Sequence, residues 1–420
     1  MHLLERGACR AVQAALRLAM PVLPYRDPKL LRADSEVPAE LAARGVDSVL
    51  LVTDGALKAL GMTRALEQAL ADGNIRCAVY SATVSNPTAQ NVEEARKLYL
   101  AEGCQALIGF GGGSAIDCAK AVGARIARPG CPLSRMRGVL RVLRKLPPLI
   151  AIPTTAGTGS EITLAAVITD GETGHKFPIN DFSLIPQVAV LDVEHTRTMT
   201  PSMTATTGMD ALTHAVEAYI GRSTTAATRA DALEAVRLIF AHLETAYRDG
   251  EDLQAREGMM TAAFLAGRAF SKSYVGYVHA VAHSLGGRYG TPHGLANAVL
   301  LPILLEAYGP CIRPQLHQLA VAAGLAQAED DPADRADRFL RAIRALNRRM
   351  EIPETLADIR PQDIPLLARY AAQEANPLYP VPRLMDAGEL ETFYYKAAER
   401  RIPWKPTMLK PSWTASAGTL

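Results

Sequence analysis

Residues 106–117 read ALIGFGGGSAID. The apolar run at 106–110 is short and uninterrupted, as in a strand that is buried on both faces of a parallel sheet. The chain then passes through Gly111, Gly112 and Gly113 into a helical pattern at 118–127. A strand that enters a helix through a glycine-rich turn is half of a βαβ unit, so this stretch predicts an α/β domain.

Other apolar runs of the same kind flank this stretch, at residues 48–53, 75–80, 149–152, 165–170 and 186–192, with a helical pattern at 88–102. Strands that alternate with helices are typical of a mostly parallel sheet. The sequence therefore predicts a Rossmann-like α/β dinucleotide-binding domain over residues 1–195, in which residues 1–45 form an extension of open role. Over residues 196–420, strand patterns nearly vanish, and alanine- and leucine-rich helical patterns predict an all-α domain.

Composition limits the classes of partner. The 420 residues carry 45 basic and 43 acidic side chains, a net charge of +2, which argues against a nucleic-acid partner. The six cysteines are scattered without a CxxC pair, which favours free thiols and a cytoplasmic location. No apolar run reaches the roughly 18 residues that span a bilayer, so no membrane partner is expected.

The N-terminus has apolar residues at helical spacing, interrupted by Arg6, Arg10 and Arg17. The arginines argue against a secretory signal, and Glu5 counts against an organelle presequence. An amphipathic helix packed on the body of the protein is the favoured interpretation.

Candidate nucleotide contacts follow the predicted strands. Ligands of parallel sheets bind at the carboxyl ends of the strands. Glycines 111–113 would let the backbone approach a pyrophosphate at a helix N-terminus, although a tight turn uses glycine as well. Asp54 ends the first long strand, where it would accept hydrogen bonds from a ribose diol and repel a 2′-phosphate. The turn is not a GxGxxG fingerprint, and it follows the third strand rather than the first.

Two further segments of the first half carry polar side chains. The loop at 153–161, PTTAGTGSE, offers hydroxyls to phosphate and ribose oxygens at Thr154, Thr155, Thr158 and Ser160. The basic segment at 134–145 is predicted to be the solvated face of a helix, with a contact to cofactor phosphates or a partner chain as the alternative. Lys176 is placed in a turn between two strands.

Candidate metal ligands lie in the second half. His279 and His283 share a helical face, and His293 follows a run from Gly286 to Pro292 that would turn the chain back. Asp210 and His214 are also four residues apart on a predicted helix at 206–220. Asp210, His214, His279 and His293 would leave a divalent ion with a net charge near +1, suited to Lewis-acid chemistry. The alternative is a set of buried histidines without a ligand.

Long motifs in the same order resemble the iron-containing (group III) alcohol dehydrogenase family, which has a dehydroquinate synthase-like architecture. They are GGGSAIDCAKA, IPTTAGTGSEIT, GMDALTHAVEAY and GYVHAVAHSLGGRYGTPHGLANAVLLP. The resemblance implies metal ligation by the same four residues and places His283 beside the nicotinamide. It implies nucleotide contacts at Asp54, Asn86, Gly112, Gly113, Ser114, Asp117, Thr154, Thr155, Thr158, Ser160 and Lys176. Ala115 and Ser284 depart from the family, which usually has proline there.

The expected function is reversible hydride transfer between a small primary alcohol and NAD, with NADP disfavoured by Asp54. The resemblance favours Fe(II), whereas general affinity trends favour Zn(II). His283 would relay a proton or position the nicotinamide ring, and the family implies a homodimer. The alternatives are a dehydroquinate synthase-like lyase or cyclase, a glycerol dehydrogenase-like polyol dehydrogenase, and a nucleotide-binding sensor with a structural metal.

Overall fold

The first half is built on a six-stranded parallel sheet. The computed structural model describes residues 1, 3–171, 176–327 and 329–398. The strand order is β1-β9-β6-β4-β2-β3, and β5, β8 and β7 form a small second sheet. The strands are β1 Lys29–Leu31, β2 Ser48–Asp54, β3 Arg76–Thr83, β4 Ala106–Gly111, β5 Gly138–Val139, β6 Leu149–Pro153, β7 Ala165–Thr169, β8 Lys176–Asn180 and β9 Val188–Val190.

Helices cover both faces of the large sheet. Alternate residues of β2 point to opposite faces, so Leu50 and Val52 join one core cluster while Val49 and Leu51 join another. The helices of this half are α2 Val37–Ala42, α3 Gly55–Ala59, α4 Arg64–Asp72, α5 Ala89–Ala101, α6 Gly113–Ala127 and α7 Leu133–Met136. Because β2, β4 and β6 are buried on both sides, their sequences are continuous apolar runs.

The second half is helical. It comprises α8 Pro201–Ile220, α9 Ala226–Arg248, α10 Leu253–Ser273, α11 Tyr277–Tyr289, α12 His293–Tyr308, α13 Arg313–Ala322, α14 Pro332–Arg349, α15 Ile364–Ala375 and α16 Ala387–Ala397. Most residues of α8 are buried, and the helix packs against α9, α10 and α12. The predicted boundary near residue 195 falls between β9 and α8. Residues 399–420 of the predicted second domain lie outside the described residues.

Residues 1–45 divide between the two halves. The N-terminal helix α1, Leu3–Ala19, packs on the helical half, where Arg10 donates to the Val381 carbonyl at 2.8 Å and Gln13 to the Tyr379 carbonyl at 2.7 Å. The strand β1 instead joins the edge of the large sheet by pairing with β9. The amphipathic pattern correctly predicted a helix. This helix packs on the helical half, although residues 1–45 were grouped with the α/β domain.

Several local predictions were wrong. The segment 134–145 is not a helix, since only Leu133–Met136 is helical and the Asp181 carboxylate accepts hydrogen bonds from the backbone of Val142 and Leu143. Lys176 begins β8, paired with Thr169, rather than lying in a turn. The helix predicted at 118–127 begins earlier, at Gly113.

The turn before His293 is shorter than predicted. Gly286 lies inside α11, which continues to Tyr289. Gly290, with a φ of 69°, ends the helix in the left-handed region that glycine tolerates, and α12 begins at His293. The connection between α11 and α12 is therefore only three residues long, from Gly290 to Pro292.

One helical stretch, residues 293–322, is long and apolar enough to cross a membrane by length and composition. It comprises α12, a short 3₁₀ turn and α13, and its most apolar window is 67% buried inside the fold. A buried core helix of a soluble protein passes the same test, so the finding is weak support for a membrane span.

Candidate active site

Four side chains from three helices converge at one point of the helical half. Asp210 and His214 lie one turn apart on α8, His279 lies on α11, and His293 is the first residue of α12. One ligand atom from each lies within 4.8 Å of the others. The Asp210 Oδ1 atom is 3.4 Å from His293 Nε2 and 3.9 Å from His279 Nε2. The structure thus brings together the four residues that the sequence singled out.

The protonation of this cluster suits metal binding. Burial lowers the pKa of His214, lowers that of His279 well below its ordinary value, and lowers that of His293 to about 4. The three imidazoles are therefore neutral near pH 7 and keep a ring lone pair. Three neutral imidazoles and one carboxylate form a donor set that fits a borderline divalent ion such as Fe(II) or Zn(II).

Glu217 supports the cluster from behind. Its Oε2 atom accepts from His279 Nδ1 at 2.6 Å and from the Gly276 amide at 2.7 Å, and its Oε1 accepts from the Val278 amide at 2.8 Å. A proton held on Nδ1 leaves the Nε2 lone pair of His279 for the cluster, the usual arrangement of a carboxylate behind a metal-binding histidine. Burial raises the pKa of Glu217 to about 7. Glu217 was not among the predicted site residues, although it lies three positions after His214.

Asn297 joins ligands from three helices. Its Nδ2 donates to Asp210 Oδ1 at 2.6 Å and lies 3.1 Å from His293 Nε2 and 3.3 Å from His279 Nε2. This side chain is fully buried. Asn297 lies inside the motif that contains His279 and His293, yet it was not among the predicted site residues.

His283 stands beside the cluster with a partner of its own. Its ring is stacked on that of His293, with 5.1 Å between the ring centroids. Its Nδ1 lies 2.6 Å from Oε1 of Glu374, which also accepts from the Tyr379 hydroxyl at 2.8 Å. Burial lowers the pKa of His283, but the Glu374 carboxylate outweighs burial, so the pKa is raised overall. This pairing separates His283 from the four candidate ligands.

The glycine turn and the threonine-rich loop face each other at the carboxyl edge of the sheet. A Cβ added at Gly112 would lie 3.5 Å from the Thr155 side chain, and one at Gly113 would lie 3.1 Å from Thr158. Gly111 has a φ of 145°, and a Cβ there would come within 2.8 Å of Ala115. Position 111 therefore requires glycine, and the N-terminus of α6 that follows it can bind an anion.

Further predicted nucleotide contacts surround this turn. Asp54 caps α3 by accepting the Leu57 amide through Oδ1 at 2.9 Å. Ser114 Oγ accepts the Asn86 amide at 3.1 Å, and Lys176 Nζ donates to Asn86 Oδ1 at 2.7 Å. Lys176 also reaches the helical half, because its Nζ lies 3.5 Å from a Cβ built on Gly286. Lys176 thus lies between the predicted nucleotide contacts and the helix that carries His279 and His283.

Comparison with known proteins identifies the family. The family described as iron-containing alcohol dehydrogenase matches residues 32–193, and the C-terminal region of the Fe-containing alcohol dehydrogenase family matches residues 204–398. Alcohol dehydrogenase 4 of Saccharomyces cerevisiae is 38% identical over 328 residues, which are 78% of this chain and 85% of that protein. The chain belongs to the iron-containing alcohol dehydrogenase family.

Two other relatives span nearly the whole fold. The NAD-dependent methanol dehydrogenase of Bacillus methanolicus is 35% identical over 344 residues, covering 81% of this chain and 90% of that protein. A crystal structure of a 1,3-propanediol oxidoreductase superposes with a TM-score of 0.85 at 34% identity, covering 89% of this chain and 99% of the other. This chain is a metal-dependent alcohol and aldehyde oxidoreductase, which argues against the lyase and sensor interpretations.

Two predicted nucleotide contacts of this iron-containing alcohol dehydrogenase already bond within the protein. Ser160 donates to Asp117 Oδ1 at 2.6 Å, and the Val167 amide donates to Asp117 Oδ2 at 2.9 Å. The fully buried Lys120 donates to Ser160 Oγ at 3.3 Å and to the Thr163 carbonyl at 2.9 Å. Asp117, Ser160 and Lys120 therefore join α6 to the threonine-rich loop. Lys120 was not among the predicted residues, although it lies in the quoted motif.

Glu161 in the same loop should give the enzyme a pH-dependent stability. It is 3% exposed, and burial raises the pKa of its carboxyl from 4.5 to about 7. Between these values the unfolded chain is ionised while the folded chain keeps its proton. The free energy of unfolding should therefore fall as pH rises through this window, by about 1–3 kcal/mol from this group.

Glu161→Gln is expected to remove the share of the fall that Glu161 contributes, because glutamine does not ionise, and to keep the share that comes from Glu217. Urea unfolding of the wild type and the variant at about pH 5 and about pH 7.5 would measure it. Glu102→Gln is a matched control, since Glu102 is exposed. The same loss of stability in both Glu161→Gln and the wild type would contradict the assignment.

Proposed function

We propose that this enzyme catalyses reversible hydride transfer between a small primary alcohol and NAD, with the corresponding aldehyde as the other product. The observation that carries the proposal is the cluster of Asp210, His214, His279 and His293, with His283 stacked on His293 and Lys176 close to the helix that carries His283. The related proteins named for methanol and 1,3-propanediol act on small alcohols, which supports a substrate of this size.

The side chains divide the chemical work. When bound, the divalent ion supplies a Lewis acid for the substrate oxygen, and the nicotinamide accepts the hydride. Asp210 and the three neutral imidazoles would hold the ion, while Glu217 keeps His279 oriented. Glu374 keeps a proton on Nδ1 of His283, so Nε2 remains as the proton acceptor for the substrate hydroxyl.

Fe(II) is the proposed metal, and Zn(II) is the alternative. The family name supports iron, and the three-histidine, one-carboxylate donor set accepts either ion. Metal analysis of anaerobically purified protein, followed by activity after reconstitution with each ion alone, separates them. Higher turnover with Zn(II) than with Fe(II) would overturn the choice of iron.

NAD is the proposed cofactor because Asp54 would repel the 2′-phosphate of NADP. Asp54→Asn removes the charge and keeps the carbonyl oxygen that caps α3 through the Leu57 amide. We expect the ratio of kcat/KM for NADP to that for NAD to rise by about tenfold, equivalent to about 1.4 kcal/mol of lost repulsion. Steady-state kinetics with both cofactors measures the ratio. A ratio that does not change would show that Asp54 does not select the cofactor.

The direct test is turnover of a panel of short alcohols and aldehydes with metal restored, followed by the absorbance of reduced cofactor. We expect activity with primary alcohols that depends on both metal and NAD. Preference for glycerol or other polyols would favour the polyol dehydrogenase alternative. No turnover with any substrate would contradict the proposal.

We also propose a cytoplasmic homodimer. All six cysteines are free thiols, which supports a reducing compartment. The dimer is inferred from the resemblance to the family. Size-exclusion chromatography with light scattering would measure the assembly, and a monomeric mass would contradict it.

A further inference from the structure

A second group of candidate metal ligands lies at the carboxyl edge of the large sheet. Asp34 follows β1, Asp192 follows β9, and these strands are paired neighbours. His195 follows three residues after Asp192, in the connection that leads to α8. One ligand atom from each of these three residues lies within 4.8 Å of the others. None of them is a candidate metal ligand or nucleotide contact described above.

Two of the three side chains are buried and already face each other. Asp34 is 6% exposed and His195 is 7% exposed, with 3.0 Å between Asp34 Oδ1 and His195 Nε2. The His195 ring packs edge-to-face on Phe110, with 4.8 Å between the ring centroids, which holds the imidazole in place. Asp192 is half-buried and accepts the Glu194 amide through Oδ1.

The second oxygen of Asp34 is free to accept a further ligand. Asp34 Oδ2 is buried and has no hydrogen-bond partner within the part of the chain that the structure describes. A buried carboxylate oxygen without a partner loses its hydration and gains nothing in return. In folded proteins such an atom is usually satisfied by a protein group, an ordered water or an ion.

The charges of the group are also uncompensated. Neither Asp34 nor Asp192 pairs with a lysine or arginine among the described residues. A protonated His195 would cancel one of the two negative charges and leave the other. A divalent cation bound by two carboxylates and a neutral imidazole would bring the total charge to zero.

We propose that Asp34, Asp192 and His195 bind a second divalent first-row metal ion, separate from the ion at Asp210. An oxygen-rich set with one imidazole suits Zn(II), Mn(II) or Fe(II) rather than Mg(II) or Ca(II), which prefer oxygen ligands alone. The ion would replace the direct Asp34–His195 hydrogen bond and engage the free oxygen of Asp34. It would cross-link the ends of β1 and β9 to the connection that leads into α8, and so join the sheet to the helix that carries Asp210 and His214.

The test is the metal content of the full chain after reconstitution with Zn(II) and gel filtration. We expect two ions per chain in the wild type, and one in Asp34→Asn and in His195→Gln. Asp210→Asn should also hold one ion. Both Asp34→Asn and His195→Gln should retain the kcat of the iron-loaded wild type, because neither residue belongs to the catalytic cluster, whereas Asp210→Asn should lose it. Asp72→Asn, at an exposed carboxylate, is the matched control and should hold two ions.

Several outcomes would overturn the proposal. A single ion per wild-type chain that is lost in Asp210→Asn would show that Asp34 and His195 bind no metal and contact only each other. Two ions in Asp34→Asn and His195→Gln would place the second ion elsewhere. Metal content is measured separately from turnover. A wild type that binds two ions but is inactive would therefore contradict the proposed function and still support the second metal site.

Discussion

Asp210→Asn is expected to lower kcat/KM for alcohol oxidation by about a thousandfold or more. Asparagine keeps the shape of the side chain and the oxygen that accepts from Asn297, so the buried surroundings change little. The substitution removes the anionic member of the donor set. A divalent ion loses its strongest electrostatic ligand, and with it the Lewis acid that the reaction requires.

The metal content of Asp210→Asn should fall together with its activity. Plasma mass spectrometry of iron-reconstituted protein, combined with steady-state kinetics, measures both quantities. His317→Ala is a matched control, since His317 lies on α13 outside the cluster and should leave both unchanged. Full activity in Asp210→Asn would refute the assignment of the four ligands.

His283→Ala is expected to lower kcat by about a hundredfold, the contribution of a typical general base. The KM for NAD should change much less. If His283 accepts the substrate proton, alcohol oxidation needs its neutral form, so activity falls as pH drops through the pKa of His283. The variant should lose that decline on the acid side. A rise in KM for NAD with an unchanged pH profile would instead show that His283 positions the nicotinamide.

Glu374→Gln provides the second arm of this experiment. Glutamine still offers an oxygen to His283 Nδ1 and to the Tyr379 hydroxyl, but it carries no charge. Because the Glu374 carboxylate raises the pKa of His283, its removal should lower that pKa. The acid-side decline in kcat should then move to lower pH. A decline that stays in place would show that another group titrates.

The partners of the key histidines could not have been predicted from spacing. Glu217 contacts His279 across 62 residues, and Glu374 contacts His283 across 91. No periodicity in the sequence connects α15 to α11, because their contact depends on how the helices pack. In the sequence, a glutamate that is exposed on a helix looks the same as a glutamate that bonds to a catalytic histidine.

Polar side chains in the first half show the same limit. The family resemblance predicted that Asp117 and Ser160 contact the nucleotide, but not that they bond to each other or that the buried Lys120 bonds to Ser160. The pairing of β1 with β9 was likewise missed, since three residues of strand carry too little pattern to be recognised. Residues 29–31 form a strand because they pair with β9.

The sequence by itself determined the continuous apolar strands, the glycine-rich entry into α6 and the i, i+4 spacing of Asp210 and His214. These features are local, because strand burial, turn geometry and helical period act over a few residues. The tertiary structure alone decided which carboxylates stand behind His279 and His283. It also decided that Asp34 meets His195 across 161 residues. Those contacts depend on the packing of distant elements, and packing is a property of the whole chain.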